Sequence, residues 1–216
     1  MKYTPAPTAG PKAVPATTSR AKSGKVVARK TVPPGEVRII GGQYKRSKLP
    51  VANKPGLRPT PDRVRETLFN WLGQDLSGWR CIDVFAGTGA LGFEAASRGA
   101  AEVMLCEQDA ALAVQLKALQ DKLHASMVKV ERGDGLAALR RLSAGSQQLV
   151  FLDPPFESAL YEPALKAAAQ AISATGLIYL EAPKAWTDEE LSPFGLQNHK
   201  ASKAGAVYFH LLKHLS

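Results

Sequence analysis

From Trp79 onward the chain alternates between short apolar runs and segments of helical periodicity, and this alternation restricts the fold more than any other feature. Strand patterns fall near residues 80–84, 102–106, 127–131, 148–152 and 176–181. Helix patterns fall between them, near residues 90–98, 109–123, 134–142 and 160–172. This succession predicts an α/β fold whose parallel sheet carries helices on both faces. Residues 195–200 and 206–212 predict a closing antiparallel strand pair.

The first of these strands runs into a glycine-rich turn. Gly87, Gly89 and Gly92 have the G-x-G-x-x-G spacing that is typical of nucleotide binding between a strand and a helix. Glu107 ends the next strand, 20 residues after Gly87, where an acid can bind ribose hydroxyls. Asp83, just before the turn, would repel a pyrophosphate but attract an ammonium or a sulfonium group. The turn therefore predicts S-adenosylmethionine rather than a dinucleotide as the cofactor.

Asp134 follows the third strand and has two possible roles. Its carboxylate can accept a hydrogen bond from an adenine amine, or it can cap the helix that follows, and the two roles can coexist. The full set of expected cofactor-binding residues is Asp83, Phe85, Ala86, Gly87, Thr88, Gly89, Glu107, Asp134 and Gly135.

The fourth strand ends in the tetrapeptide Asp153-Pro154-Pro155-Phe156. Two consecutive prolines fix φ and remove two backbone donors, so the chain leaves the sheet in a rigid turn. The turn holds a carboxylate, a free carbonyl and an aromatic ring, which together can bind a planar base by its exocyclic amine and stack on its face. We take all four as candidate catalytic residues, although the tetrapeptide could also be a plain strand-ending turn.

Positive charge is concentrated at the front of the chain. Residues 1–65 carry 15 Lys and Arg against two acids, whereas residues 66–216 carry 13 against 17. A basic front on an acidic body indicates a polyanion partner such as RNA, and the alternative is a solvated tail without a partner. The candidate RNA-binding residues are Arg38, Tyr44, Lys45, Arg46, Lys48, Arg58, Arg63 and Arg65. Arg63 and Arg65 could instead lie on a solvated helix face, and the loop at 58–60 could serve only as helix entry.

We expect three regions along the chain. Residues 1–35 are rich in Pro, Ala, Thr and Lys and predict a disordered basic tail, since prolines argue against a helical transit peptide. Residues 36–56 predict a β-hairpin extension with Gly41-Gly42 as its turn and a return strand from Tyr44 to Val51. Residues 57–216 form the catalytic domain, which opens with a helix from Pro61 to about Leu72 that Thr60 caps.

The cysteines, the histidines and the lengths of the apolar runs argue against disulfides, a metal site and a membrane span. Cys81 and Cys106 lie in predicted buried strands, so we expect free thiols in the reducing cytoplasm. The four histidines have no metal-ligand spacing with them, so we expect no metal site. No apolar run approaches the ~18 residues that span a bilayer, so we expect no membrane partner.

The Asp153–Phe156 motif resembles the signature of class I methyltransferases that act on exocyclic nucleobase amines. Further stretches make the chain similar to the bacterial RsmD family over about residues 35–213. These stretches are Arg38-Ile39-Ile40-Gly41-Gly42, Gly56-Leu57-Arg58-Pro59-Thr60, Asp62–Asn70, Asp83–Leu91 and Asp153–Phe156. The tail before residue 35 departs from the compact start of that family.

The resemblance implies a Rossmann-like class I methyltransferase with a mostly parallel seven-stranded sheet and a small N-terminal β-hairpin. It implies S-adenosylmethionine as the methyl donor and, as the acceptor, the N2 amine of guanine 966 in 16S rRNA of the assembling small ribosomal subunit. We expect a monomer that binds this RNA. The alternatives are a methyltransferase for another nucleobase amine or a protein amine, an NAD-dependent oxidoreductase and a non-catalytic rRNA-binding assembly factor.

Overall fold

The computed structural model describes residues 1, 35–155 and 159–215. It divides the chain into two units, residues 1–31 and 32–216, and the account below concerns the second. The expected basic tail therefore lies outside the described residues, except for Met1 and Gly35, and Gly35 already belongs to the first strand. Phe156 of the proline turn also lies outside them.

The second unit alternates strands and helices as the sequence predicts. In chain order its described elements are β1 (Gly35–Arg38), β2 (Lys48–Val51), α1 (Asp62–Leu72), β3 (Arg80–Asp83), α2 (Ala90–Ser97), β4 (Glu102–Glu107), α3 (Ala110–Lys122), β5 (Val128–Arg132), α4 (Gly135–Arg140), β6 (Gln147–Leu152), α5 (Tyr161–Ala171), β7 (Ile172–Ala182), α6 (Asp188–Leu191), β8 (Leu196–Ala204) and β9 (Val207–His214). A 3₁₀ turn at Ser192–Phe194 lies between α6 and β8. None of the helices in the described ranges is long and apolar enough to cross a membrane.

Seven strands form one sheet in the order β5-β4-β3-β6-β7-β9-β8. The first five run parallel, and β9 is antiparallel to both of its neighbours. The predicted seven-stranded, mostly parallel sheet is therefore confirmed. After β3 the chain adds β4 and β5 on one side and then returns to place β6 on the other. That reversal opens a crevice at the carboxyl ends of β3 and β6, where sheets of this kind bind their ligands.

The two faces of the sheet bury separate apolar clusters. One cluster packs the sheet against α1, α2 and α3, and includes Phe69, Phe93, Phe151 and Tyr179. The other packs it against α4, α5 and α6, and includes Ile82, Val150, Leu165 and Leu180. Cys81 lies in the first cluster and Cys106 in the second, and both are buried free thiols as expected. Burial raises the pKa of each thiol to about 12.

The N-terminal extension is a two-stranded antiparallel sheet, but its turn differs from the prediction. β1 and β2 pair with Val37 opposite Leu49, and the connection covers residues 39–47 instead of a tight Gly41-Gly42 turn. The longer loop docks on the end of α2, where the backbone amides of Gln43 and Tyr44 donate to Ser97 at 2.7 and 2.9 Å. The expected return strand from Tyr44 is wrong for this reason, because those amides bond α2 rather than β1.

Helix α1 covers the predicted residues, but the expected cap is wrong. Pro61 occupies the N-cap position without a side-chain hydrogen bond to the helix. The Thr60 hydroxyl instead donates to the Glu181 carboxylate at 2.7 Å. Thr60 therefore connects the start of α1 to the end of β7. A Thr60 side chain turned toward the first turn of α1 as a cap could not reach Glu181.

Candidate active site

Three carboxylates lie together at the crevice, on neighbouring strands. Asp83 ends β3, Asp153 directly follows β6, and Glu181 lies near the end of β7. The register pairs Asp83 with Phe151, and Phe151 with Tyr179. Since side chains alternate along a strand, all three acids face the same side of the sheet, toward α1 and α2. Asp83 and Glu181 are only 2% and 4% exposed, and Asp153 is partly buried.

None of these carboxylates forms an ion pair with a cation of the described chain. Burial raises the pKa of Asp83 to about 7, although backbone amides of Gly92 and Phe85 oppose the shift. Burial, then the charges of Glu181 and Asp83, raises the pKa of Asp153 well above its usual value. Burial also raises the pKa of Glu181. Negative charge crowded in this way favours a cationic ligand, which would relieve the repulsion.

The glycine turn after β3 has the close backbone packing expected of a ligand cradle. Gly89 has φ 78°, and a Cβ on it would lie 2.6 Å from Leu116 Cδ2. Glu107 fixes this turn, since its Oε2 accepts from the Gly87 amide at 2.8 Å and its Oε1 from the Asp109 amide at 2.7 Å. Each carboxylate oxygen can accept a further hydrogen bond, which leaves Glu107 able to receive ribose hydroxyls.

Asp134 caps α4, with its Oδ1 accepting from the amides of Leu136 and Ala137 at 2.9 and 3.3 Å. The capping role is confirmed, and Oδ2 has no partner among the described residues. A Cβ on Gly135 would lie 1.9 Å from the Val84 carbonyl oxygen, so this position requires glycine. The helix start therefore packs tightly against the end of β3, next to the glycine turn.

Residues 52–61, which we call the strap, cross the mouth of the crevice between β2 and α1. At one end Lys54 forms an ion pair with Asp109 at the start of α3. In the middle Leu57 packs on the glycine turn, so that a Cβ on Gly87 would lie 3.1 Å from Leu57 Cδ1. At the other end Thr60 bonds Glu181. The strap therefore links α3, the glycine turn and β7.

The proline turn lies beside the carboxylates, as the sequence predicts. Pro154 is buried and Pro155 is exposed, so the turn leads from the sheet to the surface. Tyr161, at the start of α5, has a buried hydroxyl without a hydrogen-bond partner in the described chain. Its ring lies 6.1 Å from that of Trp186. Tyr161 and Trp186 both pack on the α5 face of the sheet.

The remaining cofactor candidates line the turn itself: Phe85 is partly buried, whereas Ala86 and Thr88 are buried. Most of the RNA-binding candidates are exposed and lie on the N-terminal extension or near the start of α1. The exposed ones are Arg38, Lys45, Arg46, Lys48, Arg58 and Arg63. Lys48 pairs with Glu36, while the other five form no ion pair in the described ranges.

The prediction that Arg65 contacts RNA is wrong, because the residue is not accessible at the surface. Its side chain is fully buried, and it donates to the carboxylates of Glu94 and Asp62 and to the carbonyls of Thr60 and Arg38. Tyr44 is only partly exposed, and its hydroxyl contacts the sulfur of Met127. The other RNA candidates remain predictions.

Glu181 was not among the expected site residues, although it ends the strand predicted at 176–181. The sequence could have indicated Glu181, because an acid at the end of the strand next to β6 in a parallel sheet lies beside Asp153. The ion pairs Lys54–Asp109 and Arg65–Glu94 had no comparable signal, because their members are 55 and 29 positions apart in the sequence.

A groove of about 890 Å³ lies elsewhere, among α4, α5 and the 3₁₀ turn, with Lys166, Phe194 and His214 on its walls. It is open and does not include the strand-end carboxylates. Among the described residues no group of three or more His, Cys, Asp or Glu side chains could hold a metal ion. The strand-end crevice is therefore the candidate site.

The sheet order, glycine turn and strand-end acids define a Rossmann-like methyltransferase fold. The chain belongs to the family described as "Conserved hypothetical protein 95", whose model matches residues 37–213, and its curated relatives include bacterial proteins of the RsmD family. The chain is 40% identical over 179 residues to "Ribosomal RNA small subunit methyltransferase D" of Escherichia coli, covering 82% of this chain and 89% of the relative. The protein of that name in Haemophilus influenzae is 44% identical over 156 residues, with coverages of 69% and 80%.

Solved structures agree with this assignment. The Escherichia coli protein yhhF superposes with a TM-score of 0.72 at 40% identity, covering 83% of this chain and 98% of that chain. A methylase from Haemophilus influenzae superposes with a TM-score of 0.67 at 35% identity, covering 84% of this chain and 100% of that chain. Since both are covered almost completely, the shared fold includes the N-terminal extension as well as the sheet.

Proposed function

We propose that this protein is an rRNA methyltransferase that transfers a methyl group from S-adenosylmethionine to the N2 amine of guanine 966 in 16S rRNA. The single observation that carries the proposal is a cluster of three carboxylates beside the proline turn, none of which has an ion-pair partner among the described residues. The three residues are Asp83, Asp153 and Glu181. The relatives named for small-subunit rRNA methylation support the substrate class. We propose that the protein acts in the cytoplasm on the assembling small subunit, as a monomer.

The crevice fits an adenosyl cofactor with a positive charge. Glu107 would receive the ribose hydroxyls, the free Oδ2 of Asp134 would receive the adenine amine, and Asp83 would face the charged methionine part. Gly89 and Gly135 pack tightly against Leu116 and Val84, which fixes the backbone that borders the crevice. When bound, S-adenosylmethionine supplies an electrophilic methyl group on a sulfonium, whose C–S bond breaks as the N–C bond forms.

Asp153 and the proline turn would prepare the acceptor nitrogen. The lone pair of an exocyclic amine is delocalised into the ring, which makes the amine a poor nucleophile. The Asp153 carboxylate and the Pro154 carbonyl can accept its two N–H groups and thereby orient the lone pair for attack. A cationic neighbour favours the ionised form of Asp153, which can then take the proton that the nitrogen loses. Phe156 would stack on the base, worth roughly 1–3 kcal/mol.

The test is a mass-spectrometric analysis of 16S rRNA nucleosides from a strain without this gene. Loss of one N2-methylguanosine, restored by the wild-type gene and not by Asp153→Ala, is the expected result. Asp121→Ala is the matched control, because Asp121 is an exposed acid on α3 whose side chain has no partner among the described residues. A different missing nucleoside would favour another nucleobase amine, and full restoration by Asp153→Ala would exclude the proposed catalytic role.

A further inference from the structure

Glu181 is a buried carboxylate with one oxygen occupied and the other free. Its Oε1 accepts from the Thr60 hydroxyl at 2.7 Å and from the Tyr179 hydroxyl at 2.9 Å. Its Oε2 has no hydrogen-bond partner among the described residues, although the side chain is only 4% exposed. This oxygen is not satisfied by the described residues, so it can accept a hydrogen bond from a ligand donor.

The free oxygen lies next to the proposed acceptor site. Leu152 and Leu180 are paired across β6 and β7, so Asp153 and Glu181 follow on adjacent strands, which are ~4.8 Å apart in a sheet. The buried hydroxyl of Tyr161 is also unpaired. Burial, then the charges of Asp153 and Glu181, raises the pKa of Tyr161 to about 12, which keeps its proton in place as a donor. Asp153 and Glu181 are therefore neighbours on adjacent strands, and Tyr161 is near enough for their charges to affect its pKa.

Two neighbouring acceptors match one of the amine-bearing bases better than the others. In guanine the N2 amine is adjacent to the ring N1–H, which is a second donor on the same edge. In adenine and cytosine the ring nitrogen beside the amine is an acceptor. A carboxylate facing that acceptor would stay unpaired and would repel its lone pair, whereas facing guanine it gains a hydrogen bond.

We propose that Glu181 is a specificity-determining residue, whose Oε2 accepts the N1–H of the target guanine while Asp153 accepts from its N2 amine. This inference rests on the proposed function, because it requires guanine as the acceptor. Thr60 and Tyr179 act as positioning residues, since both hold Oε1 and so direct Oε2 toward the crevice. Thr60 belongs to the strap, so one hydrogen bond joins the strap to the carboxylate that we propose recognises the base.

The test compares guanine with 2-aminopurine at the target position of 16S rRNA, ligated and reconstituted into small-subunit particles. 2-Aminopurine keeps the 2-amino group, but its N1 is an acceptor without a hydrogen. The wild-type protein should prefer guanine by about 100-fold or more in kcat/KM, since sites built around a hydrogen bond strongly reject analogues that lack it. Glu181→Gln has nearly the same shape and can donate from its amide to N1 of 2-aminopurine. It should reduce that preference about tenfold or more, while S-adenosylmethionine binding changes less than about threefold.

Asp121→Asn is the matched control, because Asp121 is an exposed acid on α3 whose side chain has no partner among the described residues. Its preference for guanine should stay within about threefold of wild type. Loss of the O6 group in 2-aminopurine affects all variants alike and cancels when their preferences are compared.

The possible results separate this inference from the proposed function. If the wild type methylates guanine but Glu181→Gln keeps the full preference, the specificity role is wrong. Methylation of 2-aminopurine by the wild type at a rate close to that of guanine also refutes it, even if the variant fails to fold. If the wild type methylates neither particle, the proposed function itself fails.

Discussion

Arg65 of α1 and Glu94 of α2 form an ion pair in which both side chains are fully buried. Glu94 also accepts from Arg98 and from the backbone amide of Ile40, so one carboxylate joins two helices to the N-terminal extension. Arg65 in turn reaches the Arg38 carbonyl at 2.9 Å. The extension is therefore anchored to the catalytic domain by a buried polar network, and the two fold together.

This network gives a prediction about stability. Glu94→Gln should lower the free energy of unfolding by about 3–5 kcal/mol, because it removes the counter-charge of the buried Arg98 and leaves the buried Arg65 with only the exposed carboxylate of Asp62. A loss of that size lowers the melting temperature by roughly 10 °C in a chain of this length. Thermal unfolding followed by circular dichroism measures it. Lys129→Ala is the control, since Lys129 and Glu102 form an exposed pair that is worth at most about 1 kcal/mol.

The raised pKa of Asp83 predicts how stability depends on pH. Because burial raises this pKa to about 7, the folded state holds a proton between about pH 4 and 7 that the unfolded state has released. Cofactor-free protein should therefore lose stability as the pH rises through this range. Asp83→Asn removes the titration and should be more stable than wild type at pH 8, by on the order of 1–4 kcal/mol.

Denaturant unfolding at pH 5.5 and pH 8 measures this difference, with Asp121→Asn as the exposed control. S-adenosylmethionine should reverse the ranking at pH 8, because the ionised Asp83 of the wild type gains a cationic partner. An Asp83→Asn protein whose stability follows the wild-type pH curve would show that another group causes the dependence.

We expect a substitution in the strap to weaken cofactor binding with little effect on the stability of the protein. Lys54→Met removes the ion pair with Asp109 but keeps the aliphatic stem of the side chain. Because this pair is partly exposed, stability should fall by no more than about 1 kcal/mol. The affinity for S-adenosylmethionine should fall severalfold, because the strap would lose its attachment beside the glycine turn. Calorimetric titration checks this, with Lys48→Met as the control, since Lys48 pairs with Glu36 away from the crevice. Equal affinities of the two variants would contradict a role for the strap in binding.

Arg46 allows a test of RNA binding without loss of stability. It is exposed and has φ 72°, a conformation that glycine adopts more easily than arginine. Arg46→Gly should therefore weaken binding to small-subunit particles while the protein stays at least as stable as the wild type. If Arg46 contacts one phosphate, the slope of log affinity against log salt should become shallower by about 0.7–0.9. Lys200→Ser, on the opposite edge strand β8, should leave the slope unchanged.

Much of the fold could be predicted from the sequence, because the deciding signals are local. The apolar runs that became β3 to β6 and the helical periods between them depend on residues close together in the chain, and their bounds differ from the structure by at most two residues. β7 begins four residues earlier than its pattern suggested, at Ile172, where its register with β6 is irregular. Such an irregularity comes from pairing with another strand and leaves no periodic signal.

The errors concern side chains whose partners are distant. Thr60 has the residue type of a helix cap, but its partner is Glu181, 121 positions away. Arg65 looked like a surface cation beside other basic residues, and only helix packing showed that Glu94 neutralises it. Gly41-Gly42 looked like a hairpin turn, but these glycines lie in a longer loop that packs on the end of α2.

Periodicity and motif spacing were sufficient to predict the alternating fold, the position of the glycine turn and the strand ends that carry Asp83, Glu107 and Asp153, because each of these signals lies within a short stretch of the chain. The position of Glu181 beside the acids, the path of the strap across their crevice and the burial of Arg65 became apparent only in the folded chain. Burial and charge pairing depend on which surfaces meet when the chain folds, and the sheet order brings those surfaces together.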